Sequence, residues 1–518
     1  MGQSRINQAV QIALIIVCGL CQAMSLASPA SGQAYACLQV FALALFLYTQ
    51  QNNVNNRKNF SQSWLFATVW LIASVWWLYV SIHHFGGMPV WLTVAAIGLL
   101  CGALALYYAV ALYLYFKWKN NHNHWLSAAL FASCWTLGEL ARAEFFTGFP
   151  WGAIGYAHID SVLVSLAPWL GVYGVAWVAA YIAALITEYA LIWRKNRTKY
   201  GGMVLSAISL TVMAVPWKIN STSVDTSFSV SLLQGNIPQE LKFTQAREDA
   251  LKWYIDNAVS ATTDMVVMPE TAIPYLKKDL PQDAWQTLND HFGKGKKALI
   301  LGIPTFEQNK GFGNSAIAFQ ANAQAYLYNK QHLVPFGEFV PSYFQWFNQA
   351  VNFGITDFVR GPLKPAPFVW RNQYVAIQIC YEDLFGEELA QRFVDDASSA
   401  PTVLVNMSNI AWFGNTVVIP QHLHIARMRS IELNRPTVRA TNSGGTAIID
   451  ASGTVIAKAP PYTTTVLVGD VPSSDGRITG YAQWAGRWGL IPLWIWCVGI
   501  VMLFAISVKR PSAKAQSH

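Results

Sequence analysis

Hydrophobic positions along this chain follow two regimes. Over 6–27, 34–49, 63–82, 89–116, 125–140, 161–193 and 202–217 they run almost unbroken, and an eighth such stretch covers 488–508. A helix that crosses a bilayer needs about 20 apolar residues, so the pattern predicts eight membrane spans. The stretches at 34–49 and 125–140 are short for that purpose. Pro168 near the start of the sixth predicts a kink there, or a short interfacial piece ahead of the helix. The first stretch shares features with a cleavable signal peptide, with Arg5 ahead of it and Ala27 and Ala30 among small residues, but a span is the preferred reading.

Between the seventh and eighth stretches the period changes. Short β-favouring runs at 230–233, 265–268, 298–301, 374–379, 402–405, 437–441, 446–449 and 465–468 alternate with helical patterns at 246–261, 283–292, 386–394 and 422–433. The runs 315–319 and 325–328 predict a hairpin. Such alternation implies a layered α/β fold. The chain therefore divides into a helical bundle over 1–217, an α/β domain over 218–486, and a last span with its tail over 487–518. The middle region, roughly 270 residues, is a normal size for one domain.

One connection, 331–363, breaks the pattern. It carries Phe336, Phe339, Tyr343, Phe344, Trp346, Phe347, Phe353 and Phe358, too many aromatics for a disordered loop. Two readings stay open: an amphipathic helix packed on its own domain, or a lid that touches the bilayer or an acyl chain.

Composition sharpens this division. Only 12% of the 518 residues are charged and 53% are hydrophobic, against about 25% charged in ordinary globular chains. The net charge of +8 does not point to nucleic acid, because the Lys and Arg cluster at the ends of apolar stretches. Arg5, Arg57, Lys58, Lys117, Lys119, Arg194, Lys195, Arg197, Lys199, Lys509, Arg510 and Lys514 occupy alternate loops and the two ends. By the positive-inside rule both termini are cytoplasmic and 218–486 lies on the far side. Arg142, with Glu139 and Glu144 beside it, is open between a lipid-headgroup contact and a structural ion pair.

The candidate chemistry starts from one thiol. Cys18, Cys21, Cys37, Cys101, Cys134 and Cys497 sit in or beside apolar stretches, and Cys380 alone lies in the α/β region. It has no intradomain partner and no metal-binding spacing. The run 374–379 delivers it at the carboxyl end of a buried strand, where α/β folds keep their sites. A small inert core residue is the bland alternative. Glu270, Lys330 and Asn406 are each placed alike, at the ends of 265–268, 325–328 and 402–405. If these strands are neighbours, a carboxylate, an ammonium and a thiol meet at one sheet edge. A thiol needs activation at neutral pH. A carboxylate can take its proton, and a fixed ammonium can stabilise thiolate and oxyanion. Taken singly, Glu270 and Lys330 would be ordinary solvated charges.

The phrases Met268-Pro269-Glu270-Thr271, Tyr328-Asn329-Lys330 with the following Val334-Pro335-Phe336-Gly337-Glu338, and Ile379-Cys380-Tyr381-Glu382 resemble the Glu, Lys and Cys motifs of the nitrilase superfamily. With the apolar stretches, Phe149-Pro150-Trp151-Gly152, Gln234-Gly235-Asn236-Ile237-Pro238-Gln239 and Ala411-Trp412-Phe413-Gly414, the likeness narrows to the apolipoprotein N-acyltransferase family and covers nearly the whole chain. The resemblance implies an α-helical transmembrane bundle of eight spans plus a nitrilase-like αββα sandwich. It implies Glu270 as general base, Lys330 as oxyanion-stabilising cation and Cys380 as nucleophile. Glu338, Tyr381 and Glu382 match further family positions expected to orient the three and shape the pocket, and Phe243 and Trp412 join them as expected substrate-binding or supporting residues. Phe243 stands where a close relative carries Trp, and Ile410 where an acid is usual.

The implied reaction moves a fatty acyl chain from a phospholipid, phosphatidylethanolamine by expectation, through a Cys380 thioester to the α-amine of a diacylglyceryl-cysteine apolipoprotein. No cofactor, metal or nucleic acid is expected, and the resemblance implies a monomer in the bacterial inner membrane, surrounded by membrane lipids, with a periplasmic catalytic domain. One alternative is a membrane-tethered nitrilase-type amidase that uses water as acceptor. Another is a transporter with an exported binding domain, disfavoured because Glu139, Arg142 and Glu188 are the chief charges in the stretches and lie near their ends.

Overall fold

The computed structural model describes residues 2–509 apart from 52, 54, 120–122, 197–200, 216–223, 309–310, 346–356 and 395–398. Arg197, Lys199, Trp346, Phe347, Phe353, Arg510 and Lys514, and the end of the stretch 202–217, lie outside the described residues. The chain forms two compact units, Met1–Lys218 with Leu490–His518, and Ile219–Gly489.

The first unit is helical: Gly2–Leu26, Ala36–Gln50, Asn56–Val75, Val90–Trp118, His124–Glu144, Ala167–Lys195, Gly201–Ala214 and Ile491–Lys509. Among the described residues three stretches are long and apolar enough to cross a membrane, Ile6–Leu26, Val90–Trp118 and Val162–Lys195. A fourth counts if the bent pair Gly480–Trp488 and Ile491–Ile506 is one span. The expected eight exceeds this, for physical reasons: Ala36–Gln50 has 15 residues, and His124–Glu144 carries Glu139, Arg142 and Glu144. On Val90–Trp118, Val94, Leu99, Leu106 and Val110 are exposed, while Cys101, Ala105, Tyr108 and Leu112 are buried. A helix apolar on both faces is suited to lipid on one side.

The sixth helix does not bend at Pro168. That residue sits in its first turn, where a missing N–H costs nothing. A short 3₁₀ turn, Val162–Leu166, precedes it, and the break falls at Gly171, whose φ of 68° is open only to a residue without Cβ. Arg142 forms no ion pair with Glu139 within 4 Å among the described residues. Fully buried, it donates from Nε to the Tyr108 hydroxyl at 2.9 Å and from Nη1 to the carbonyls of Phe149 at 2.6 Å and Trp151 at 2.5 Å. Glu139 accepts the Ile154 amide at 2.9 Å. The pair thus ties the 149–154 loop to its helix.

In the second unit the described strands form two six-stranded sheets. The first contains β1 Val224–Gln234, β2 Met265–Val267, β3 Ala298–Glu307, β4 Gly311–Phe319, β5 Tyr326–Asn329 and β12 Thr465–Ser473, ordered β12-β1-β2-β3-β4-β5. The second contains β6 Phe368–Trp370, β7 Gln373–Ile379, β8 Val403–Ser408, β9 Thr437–Thr441, β10 Ala447–Ile449 and β11 Val455–Lys458, ordered β11-β10-β9-β8-β7-β6. β1, β2 and β3 are parallel, as are β7, β8 and β9, and antiparallel strands flank both sets.

Period-two alternation sets the layers. Met265, Val267, Ala298 and Ile300 of one sheet share a core with Val375, Ile377, Val405, Met407 and Val438 of the other. The intervening residues face outward. Val266, Leu299 and Leu301 pack under Leu251, Tyr254 and Leu288 of the helices Arg247–Ser260 and Gln282–Leu288. Ala376 and Leu404 pack under Leu389, Tyr481 and Ala485 of Gly386–Ala390 and Gly480–Trp488. The order is helix, sheet, sheet, helix.

The hairpin of β4 and β5 is present, with Ala316 opposite Tyr328. The connection 331–363 contains, among the described residues, a bridge between Pro335 and Phe339 and a 3₁₀ turn at Ser342–Phe344, and no longer helix. One close contact decides how β3 supports its neighbour. A Cβ on Gly302 would lie 2.3 Å from the Pro269 carbonyl and 2.5 Å from the Thr271 amide. Gly302→Ala is therefore expected to cost about 1–3 kcal/mol through overpacking, read as a lower unfolding midpoint. A midpoint equal to wild type would contradict this.

Candidate active site

Lys330 and Glu270 lie 3.7 Å apart and both act electrostatically on Cys380, but the three do not sit at one sheet edge. Glu270 follows β2 and Lys330 follows β5, at separate positions in the first sheet, whereas Cys380 follows β7 in the second. Face-to-face packing of the sheets brings them together, because parallel strands of both sheets end on the same side.

Lys330 is the centre of charge. Its ammonium, 1% exposed, donates to Glu338 Oε1 at 2.9 Å and lies 3.7 Å from Glu270 Oε1. Burial alone would lower its pKa, but Glu338, then Glu270 and Cys380, outweigh burial and hold it above the usual lysine range. It is a permanent cation. Asn314 on β4 donates from Nδ2 to both Glu270 Oε1 and Glu338 Oε1 at 2.7 Å, and its carbonyl accepts the Lys330 amide at 2.9 Å. Asn409 donates its amide to Glu270 Oε2 at 2.9 Å, and Glu338 Oε2 accepts the Val334 amide at 2.8 Å. Each carboxylate thus has its acceptors filled from more than one element.

Cys380 opens a 3₁₀ turn with φ of 54°, in the left-handed region that costs a side-chain-bearing residue roughly 1–2 kcal/mol. Strain of that kind persists where the surroundings impose it. The residue as a whole is partly exposed, while its thiol group is buried. Burial pushes its pKa well up, Glu270 adds to the rise, and Lys330 opposes it. The resting sulfur is a protonated thiol within electrostatic reach of a carboxylate and an ammonium. That set can move a proton from sulfur to carboxylate while the ammonium faces developing oxyanion charge.

Glu382 does not face the thiol. It accepts from the Ile379 amide at 2.5 Å, the Gln331 amide at 2.7 Å, the His332 amide at 3.2 Å and the Tyr328 hydroxyl at 2.8 Å. It joins the end of β7 to the end of β5. Tyr381 is buried against Phe385, with ring centroids 5.3 Å apart. Phe243 and Trp412 are exposed. Ile410 is buried, consistent with its apolar character.

Asn406 lies inside β8 rather than past its end, and its Nδ2 donates to the Cys380 carbonyl at 3.2 Å. A polar residue ends a strand by propensity. Here hydrogen bonding overrides that preference. Asn314 and Lys242 went unread for a similar reason. Lys242, 1% exposed, donates to the Glu270 carbonyl at 3.4 Å. Burial drops its pKa to about 8, against the pull of Glu270. Among the described residues no cluster of His, Cys, Asp and Glu is arranged to hold a metal.

Residues 229–481 match the carbon–nitrogen hydrolase family and residues 19–185 match the apolipoprotein N-acyltransferase N-terminal domain. The second unit is therefore a carbon–nitrogen hydrolase domain, an α/β sandwich of two sheets. Relatives extend the match to both parts of the chain. An apolipoprotein N-acyltransferase of Verminephrobacter eiseniae is 42% identical over 95% of this chain and 95% of its own. One of Ralstonia nicotianae is 37% identical over 85% of this chain and 83% of its own. The chain belongs to the apolipoprotein N-acyltransferase family. A solved amidase from Nesterenkonia sp. aligns at 16% identity over 54% of this chain and 98% of its own, with a TM-score of 0.37, a likeness too remote to add to that assignment.

Two measurements probe these environments. Glu270→Gln removes a negative neighbour of the thiol, so Cys380 should alkylate several-fold faster at fixed pH near neutrality while acyl transfer falls. Slower alkylation would contradict the electrostatics. For Lys242 the folded pKa is depressed, so the native state binds fewer protons than the unfolded state between about pH 8 and the unperturbed lysine value. Stability from this group rises with pH across that window. Lys242→Met is expected to raise the unfolding free energy at pH 7 by about 1–3 kcal/mol and to flatten the rise above pH 8. A lower midpoint at pH 7 would contradict it.

Proposed function

We propose that this protein transfers a fatty acyl chain from a phospholipid to the α-amine of diacylglyceryl-cysteine on an apolipoprotein. Cys380 is the nucleophile, Glu270 the general base and Lys330 the oxyanion-stabilising cation. In the first stage Glu270 takes the thiol proton as sulfur attacks the ester carbonyl. The oxyanion forms beside Lys330, the carbon–oxygen bond breaks, and the leaving alkoxide recovers the proton as lysophospholipid. In the second stage the amine attacks the thioester, Glu270 takes its proton, and the carbon–sulfur bond breaks. The amide is released and the thiol restored. A thioester yields readily to an amine, which is the gain from dividing the reaction.

One observation carries the reading: a buried ammonium paired with two carboxylates, within electrostatic reach of the strained cysteine that opens the turn after β7. The family supplies the substrate class. Both substrates are lipid-anchored, which accounts for an α/β domain joined to a long apolar region. In this reading the apolar stretches make eight spans in the bacterial inner membrane, flanking a periplasmic catalytic domain over 218–486, with cytoplasmic termini. Phosphatidylethanolamine is the donor, the enzyme works as a monomer, and the aromatic connection 331–363 acts as a lid toward lipid. Phe243 and Trp412, both exposed, contact acyl chains. Glu338 and Glu382 position the triad, and Tyr381 shapes the pocket.

Full-length protein in phospholipid-containing micelles with a diacylglyceryl-cysteine peptide should yield N-acylated peptide and lysophospholipid in equal amounts. Cys380→Ala should abolish both, and Glu270→Gln or Lys330→Met should lower the rate by at least about 100-fold. Release of free fatty acid without amide would favour a membrane-tethered amidase that uses water.

A further inference from the structure

Beneath the Cys380 turn lies a second group of buried polar side chains, all from the second sheet and the helix against it. Asp383 sits on the turn itself, Asn406 on β8, Arg439 on β9, and His422 on helix Val418–Leu433. In register Asn406 is opposite Gln378 on one side and Arg439 on the other. Arg439 is fully buried. Its Nη1 donates to Asp383 Oδ2 and Asn406 Oδ1, both at 3.0 Å, and its Nη2 to His422 Nδ1 at 2.7 Å. Because Nδ1 accepts, the His422 proton is on Nε2, which donates to Asp383 Oδ1 at 2.8 Å. Burial and then Arg439 lower the His422 pKa, so the ring is neutral. Ser408 donates to Asn406 Oδ1 at 2.6 Å, and Asn406 donates to the Cys380 carbonyl at 3.2 Å.

We infer that Asp383, His422, Arg439 and Asn406 form a buried positioning unit that holds the strained Cys380 turn and sets the charge around its sulfur. This rests on reading Cys380 as the nucleophile. A left-handed φ at a residue with a Cβ needs an external grip, and the Asn406 amide on the Cys380 carbonyl supplies one. Asn406 is itself fixed by Arg439 and Ser408. Arg439 is close enough for mutual electrostatic influence with the thiol, and Asp383, hydrogen-bonded to Arg439, acts on the thiol with the opposite sign. The charged and titratable groups around the sulfur are therefore Glu270, Lys330 and Glu338 from the ends of β2 and β5 and the connection after β5, and Asp383, neutral His422 and Arg439 from the turn, the helix and β9. Buried ion pairs of this type are weak sources of stability but strict about geometry.

The test reads the pH dependence of Cys380 alkylation by iodoacetamide in full-length, micelle-bound protein, scored at the Cys380 peptide by mass spectrometry. Asp383→Asn keeps the shape and removes the negative charge that offsets Arg439. Its profile should move to lower pH by about half a unit or more. Asn406→Asp keeps the acceptors for Arg439 and Ser408, adds a negative charge and removes the donor to the Cys380 carbonyl. Its profile should move to higher pH. Opposite shifts support the inference. Wild-type profiles in both, or shifts of one sign, overturn it, even where unfolding midpoints fall. If Asp383→Asn does not fold, Asn406→Asp decides by its sign alone. Full acyl transfer by Cys380→Ala would remove the nucleophile reading separately, since alkylation requires no turnover.

Discussion

The active-site geometry depends on one buried carboxylate. Glu382 gathers the amide of Ile379 from the end of β7, the amides of Gln331 and His332 from the chain after β5, and the hydroxyl of Tyr328 on β5. Those strands belong to different sheets. Without such a tie, two sheets packed through apolar side chains can slide by small amounts, because the hydrophobic effect is not directional. Charge-assisted hydrogen bonds are directional and short. The carboxylate therefore fixes the register of Cys380 against Lys330. Its burial raises its own pKa, and the donors around it are what keep the charged form tolerable in that place.

Around this tie the charges fall into two groups that treat the sulfur differently. On the first sheet a single ammonium is shared by two carboxylates, with Asn314 holding both at the same distance. On the second sheet an arginine, an aspartate and a neutral histidine form a hydrogen-bonded group whose formal charges balance. The low-dielectric interior makes both groups effective and makes unpaired members costly. The outcome is a thiol whose pKa burial and Glu270 hold up and Lys330 opposes, an environment consistent with the nucleophile role proposed for it.

Much of this was legible in the sequence. The strand that delivers Cys380, the hairpin ahead of Lys330 and the alternation of helix and strand all follow from period and propensity. The motifs carried the family. What the sequence did not carry was partnership. A run such as 265–268 says strand but not which sheet it joins, so Glu270, Lys330 and Cys380 were expected at one edge and meet across two. Asn406, expected at the end of 402–405, lies within β8, held there by the Cys380 carbonyl and Arg439. The signal for its network was an arginine in the middle of the β-favouring run Thr437–Thr441, all of which is buried. The apolar stretches told where helices form but not how many suffice to cross a bilayer, since 34–49 is short and 125–140 carries charge.

Family membership and geometry now bear on the same sulfur. The most direct measurement is the intact mass of the full-length protein after exposure to phospholipid alone. The account predicts an increase of one fatty acyl chain, mapped to Cys380, labile to hydroxylamine, and lost when a diacylglyceryl-cysteine peptide is added. An active preparation whose mass never changes, or an acyl group mapped to any other residue, would contradict it.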